Sequence, residues 1–251
     1  MRLAVFACAV CLLAACASPA DRAAATAAAP SGPVAGTPDA LVGRLGSAAL
    51  AASFARLAAV PYDARVVVEE LDASSRAVGR FERTLRHAPG QRDRLVTTVA
   101  SGTLADTAGL DPARLRVQDP MPSVLADVPA YLAPSTREQY AVRIGRAAGA
   151  VRAVEVAHTA DTEQPVERVV AAVDTATGDV LQMAVARQSR SAIYDEATRA
   201  EVRLRRGPGG ALPAAVETTS IVSSPLSGIR TYRIAWRITP QRVAPQRSAA
   251  R

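Results

Sequence analysis

Side chains able to do polar chemistry are few in this sequence, and they lie far apart. There are two histidines, His87 and His158, and three cysteines, Cys8, Cys11 and Cys16, all within the first sixteen residues. A zinc site of ordinary Cys/His composition cannot be built from the rest of the chain. A Ser-His-Asp or Cys-His arrangement would have to use one of two isolated histidines, and both read as surface residues near strand ends. Glu69-Glu70 and Asp195-Glu196 are paired carboxylates, but neighbours on a strand point to opposite faces, which separates them for acid/base work. No nucleophile elbow is present, so the sequence argues for a binding protein, not an enzyme, with no metal and no cofactor.

Cys16 is the exception, because its neighbours give it a chemistry. Arg2 is followed by an uninterrupted small and apolar run from Leu3 to Ala15. That run is shorter than the roughly 20 residues needed to span a bilayer as a helix, and it has the layout of an export signal. It closes with Leu13-Ala14-Ala15-Cys16, which resembles the lipobox of bacterial lipoprotein signal peptides. The resemblance implies removal of residues 1–15, diacylglycerol on the Cys16 thiol and a palmitate-type chain on the new amino terminus. Cys8 and Cys11 fall inside the segment to be removed, so no disulfide is expected despite export. Ala17 follows the cysteine. In lipoproteins of this kind Asp at that place marks inner-membrane retention, so the implied destination is the outer membrane, facing the periplasm.

Lys and Arg together exceed Asp and Glu by 30 to 23, for a net charge of +7 and a sequence pI near 10.1, and every one of the cations is Arg. The arginines are spread along the chain and do not interleave with the scarce aromatics, which argues against nucleic acid. Anionic surfaces such as phospholipid headgroups fit the charge better. Arg203, Arg205 and Arg206 read either as contacts to lipid phosphates or as the solvated face of a strand.

These residues need a framework. Residues 16–37 are Ala, Pro, Ser, Thr and Gly with almost no large side chain, which reads as a flexible tether. Residues 38–240 read as one domain, and 241–251 as a loose basic tail. Apolar Leu41, Val42, Leu45, Leu50, Phe54 and Leu57 predict one helix from Pro38 to about Ala59, loosened by Gly43 and Gly46. Ten strands are expected near 62–71, 78–85, 94–103, 139–146, 150–158, 166–173, 180–187, 201–206, 215–222 and 229–239, with short helical turns over 122–132. Such a series of hairpins predicts a curved antiparallel half-barrel, mainly β, with helices covering one face.

The stretch VERVVAAVDTATGDVLQMAVA, then Tyr194-Asp195-Glu196, then Gly209-Gly210-Ala211-Leu212-Pro213 before a Thr-containing strand, resembles the outer-membrane lipoprotein carrier family of LolA- and LolB-like proteins. Half-barrels of this kind hold acyl chains on an apolar concave face lidded by helices. The resemblance implies a membrane-anchored lipoprotein that binds lipid or lipoprotein acyl chains, with Leu71 as a candidate for the protruding residue of the anchored branch. Strict alternation places Tyr232, Ile234, Trp236 and Ile238 on one strand face, and Val142 and Ile144 repeat the pattern, so these six are the candidate cavity wall. With aromatics at 4% and abundant Ala, the concave face is expected to keep unfilled apolar volume. The alternative is an envelope sensor or scaffold that uses the same half-barrel to bind a protein partner.

Overall fold

The computed structural model describes residues 36–105, 120–159, 166–191, 193–207, 209–225 and 228–241. Cys16 and the expectations for residues 1–35 and for the tail from 242 lie outside them. Ten strands are present: β1 Tyr62–Leu71, β2 Ala77–His87, β3 Arg94–Gly102, β4 Tyr140–Ala148, β5 Val151–His158, β6 Val166–Asp174, β7 Val180–Arg190, β8 Asp195–Gly207, β9 Gly210–Ser224 and β10 Gly228–Pro240. All pair antiparallel in one sheet, ordered β3-β2-β1-β10-β9-β8-β7-β6-β5-β4. The sheet is curved and does not close, so β3 and β4 are free edges and the fold is a half-barrel.

The inner face is built in rows that cross the strands. Val66, Trp236, Val216, Val202, Met183, Ala171 and Val154 lie opposite one another in seven neighbouring strands. None of them is more than 4% exposed. Alternation alone produces this, because each side chain two residues along a strand returns to the same face.

The single helix expected over 38–59 is two, α1 Pro38–Leu45 and α2 Ala49–Ala58. The break falls at Gly46, and the Ser47 hydroxyl accepts the Ala49 N–H at 3.3 Å, serving an amide that the second helix leaves open. Two shorter helices follow, α3 Ser123–Ala126 and α4 Val128–Tyr131. α1 packs on β4 and β5, α2 on β9, and α3 on β7 and β8. Leu41, Leu45, Leu50 and Leu57 point into the sheet, each at most 5% exposed.

Two turns hold these helices down, and both belong to the segments that carry the family resemblance. In the β6–β7 hairpin, Asp174 is 1% exposed, its carboxylate accepts the Ala176 N–H at 2.9 Å, and it pairs with Arg206 of β8. This fixes Gly178, whose carbonyl receives Nε–H of Arg44 from α1. Burial pushes the Arg44 guanidinium below its ordinary pKa; Asp179 opposes that shift and Arg56 adds to it. In the β8–β9 turn, Arg56 of α2 donates to the Ala211 carbonyl at 3.1 Å and to Ser53 Oγ at 2.9 Å. Gly210 makes this possible. Its φ is +120°, and a Cβ there would meet the guanidinium at 3.2 Å.

Candidate ligand-binding face

The helices cover only part of the concave surface. Val154, Val156, Val169, Ala171, Met183, Val185, Ala200 and Val202 of β5 to β8 are buried, Val142 and Ile144 of β4 are half-buried, and Tyr140 donates its hydroxyl to the Val166 carbonyl at 3.3 Å. Over the ends of β8, β9 and β10 away from α2 the face is half-open: Ile234, Thr218, Tyr232, Ser220 and Val222 are all half-buried. The composition changes there too. The Trp236 row is apolar throughout, whereas the row four residues along reads Glu70, Tyr232, Ser220, Thr198 and Arg187 across five strands.

Each polar group in this row has a partner. Arg230 donates to Glu70 at 2.8 Å, and the Thr103 hydroxyl donates to the same carboxylate at 2.6 Å. That contact needs Gly79, since a Cβ there would lie 2.2 Å from the Thr103 oxygen. Tyr232 and then Glu70 raise the Arg230 pKa above its ordinary value. Arg187 faces Asp127 at 3.5 Å in the link between α3 and α4. Thr198 and Ser220 both donate to Glu196 Oε1, at 2.6 and 2.9 Å.

The six expected wall residues all lie on the inner face, but not in one pocket. Trp236 and Ile238 are buried beneath the helices, at 4% and 3% exposure. Tyr232 and Ile234 are half-buried in the open region. Val142 and Ile144 stand at the other rim of the sheet, in the same rows as Ile234 and Trp236 but six strands away, roughly 29 Å at a strand spacing of about 4.8 Å. The unfilled volume expected beneath the helices is small. The cavity between Leu45, Leu50, Leu125, Val128 and Met183 holds about 20 Å³, enough for one water and not for an acyl chain. Helical leucines replace the missing aromatics there.

The histidines are not the bare surface residues expected. His87 stacks on Tyr62 with ring centroids 4.5 Å apart, and its nitrogens lie 2.7 Å from Asp93 Oδ1 and 2.9 Å from the Ala58 carbonyl, tying α2 to β2. His158 packs edge-on against Tyr140 at 5.4 Å. Glu69 and Glu70 do point to opposite faces, Glu69 pairing with Arg80 and Arg233 on the convex side. Arg203 and Arg206 pair with Glu201 and Asp174, so of the three only Arg205 has no ion pair among the described residues. Leu71 ends β1 half-buried and opposite Thr231. Sequence reasoning weighed Glu196 only as half of a carboxylate pair and missed Thr198 and Ser220; the signal was Glu196 and Thr198 in phase with Ala200 and Val202 on β8.

No family model and no characterised protein sequence matches the chain. Among solved structures it is similar to lipovitellin, described for its lipid–protein interactions, at 8% identity over 76% of this chain with a TM-score of 0.30; the chain spans 26% of that protein. It is also similar to a DUF1329 family protein from Desulfovibrio piger, at 11% identity over 81% of this chain and 92% of that one, with a TM-score of 0.24. Both likenesses are too slight to carry an argument.

Proposed function

We propose that the chain is a lipoprotein anchored in the outer membrane through acylated Cys16, holding lipid or lipoprotein acyl chains on the inner face of its half-barrel and serving envelope lipid or lipoprotein trafficking without chemical turnover. One observation supports this reading: next to the sealed apolar Trp236 row the inner face is half-open, with Ile234, Tyr232 and Val222 set among Thr218 and Ser220, an amphipathic strip at the end of an apolar face. The latches also leave some polar atoms unmet. Arg44 Nη1 and Arg56 Nε are buried without a hydrogen-bond partner among the described residues, so undocking α1 and α2 returns two polar atoms to water. An acyl chain entering from the open strip would take the place of the helical leucines against the Trp236 row. Titrating a fluorescent fatty acid into the full chain tests this. Saturable binding is expected, weakened at least about tenfold by Ile234→Glu, which puts an unpaired charge on the strip. Absence of saturable binding to a chain with a native circular dichroism spectrum overturns it. The anchor is tested separately: Cys16→Ser should abolish fatty-acid labelling and leave the precursor uncleaved.

The sensor or scaffold alternative is favoured by a different feature. Edge strand β3 leaves Leu95, Val96 and Val99 exposed, Val99 at 63%, along an edge that no other strand among the described residues pairs with. A stable protein complex with an empty inner face would put this reading first.

A further inference from the structure

The carboxylates that face the open strip are neutralised in different ways. Glu70 has Arg230, and Asp127 has Arg187. Glu196 has neither: its Oε1 accepts from two hydroxyls, and no cation among the described residues lies within ion-pair distance. This is unexpected in a chain with 30 basic and 23 acidic residues, where cations are in surplus. Thr198, itself 8% exposed, and Ser220, 3.2 Å from it, orient the carboxylate without cancelling its charge. Hydroxyls in this arrangement fix an acceptor in place and leave it needing a cation.

Its position is also specific. Glu196 lies on the inner face between Ser189 of β7 and Val222 of β9, four residues along β8 from Ala200. Ala200 shares a row with Thr218 and Ile234. A tail lying over Ile234 and running toward Trp236 would therefore leave its polar end roughly 16 Å away, at Glu196, four residues along and two strands across. We propose that Glu196 is the head-group acceptor of this face and that the ligand is an amphiphile bearing a primary ammonium group. The ammonium donates to the free edge of the carboxylate and cancels its charge, whereas a hydroxyl head can donate without cancelling it and an anionic head is repelled. No group of three or more metal-ligating side chains occurs among the described residues, so the acceptor suits an organic cation. The proposal rests on the reading that this face takes an acyl chain.

Isothermal titration of the full chain with dodecylammonium and with dodecanoate, below their micellar concentrations, separates the two ideas. The wild-type chain is expected to bind dodecylammonium at least about tenfold more tightly, against its own net charge of +7. Glu196→Gln should remove that preference, weakening the ammonium probe about tenfold and leaving dodecanoate unchanged or tighter. Equal affinity of the folded wild-type chain for both probes, or ammonium binding indifferent to Glu196→Gln, overturns the head-group assignment and leaves the acyl-chain reading standing. Binding of neither probe overturns both. The wild-type comparison needs no variant, so it decides the matter even if Glu196→Gln does not fold.

Discussion

One sheet is stabilised in two different ways. Along the Trp236 row, from β1 to β5, the inner face is sealed, and the buried groups are Val, Ala, Met and Trp, whose contribution does not depend on pH. Toward Tyr232, at the other ends of β8, β9 and β10, the inner face stands partly open, and the neighbouring strands are supported from behind. On the convex side Arg65, Glu82, Arg80, Glu69 and Arg233 form a continuous chain of ion pairs over three strands. The covered, apolar length of the sheet is held by burial, while the strands beside its open length lean on charge.

The comparison breaks most sharply at β10, which passes through both halves. Trp236→Ala, in the sealed row, should cost about 3–5 kcal/mol in chemical denaturation, whereas Tyr232→Ala, four residues away in the open row, should cost about 1 kcal/mol or less. Similar losses at both positions would show that the halves are not distinct. A smaller effect is expected from loosening the cover. Gly210→Val puts a branched side chain at φ +120° against the Arg56 guanidinium and should cost about 1–3 kcal/mol. Gly209→Ala, where φ is +79° and no atom lies within 4 Å, should cost less, which separates backbone strain from loss of the α2 latch.

The smallest effect concerns acid. Hydrogen bonds from Arg65 and then Arg80 hold the Glu82 carboxyl down to about 2, from an ordinary 4.5. A depressed carboxyl stabilises the fold above its unfolded pKa, and that contribution fades as pH falls from 4.5 toward 2. Because Glu82 is partly exposed, the loss is modest, and Glu82→Gln should flatten the acid side of the stability profile by that amount. Hydrogen exchange near pH 3 should then rise first in β1 and β2, with β5 and β6 still protected.

Much of the fold could be read from alternation alone, because Val, Ile and Ala in phase leave little choice of element. All ten strands lie near the places the pattern gives them, β8 and β9 running longer than expected. The start of β8 at Asp195 escaped, since Glu196 and Thr198 are polar residues on an inner face and dilute the apolar signal on which the pattern depends. Nothing in the sequence states that β10 lies beside β1, or that α1 settles on β4 and β5. Those are long-range choices fixed by packing. The candidate face was legible in part: the stripe at Tyr232, Ile234, Trp236 and Ile238 could be seen, but its division into sealed and open lengths depends on where the helices come to rest. Glu196 could be read only as half of a carboxylate pair, because its inner-face partners include one on another strand.

The pairing of β1 with β10 also governs how the molecule must assemble. Every other neighbouring pair in the sheet is joined by a hairpin, so β1–β3 and β4–β10 can each form as a local meander on their own. Joining them requires Tyr62 to find Pro240 and Leu71 to find Thr231, the most distant register in the chain. A nascent polypeptide emerging in order would hold the first meander with one flank of β1 unsatisfied until residues 228–240 arrived. Folding is thus expected to be limited by a single late docking step, at which the Trp236 row closes and the two meanders become one cooperative unit.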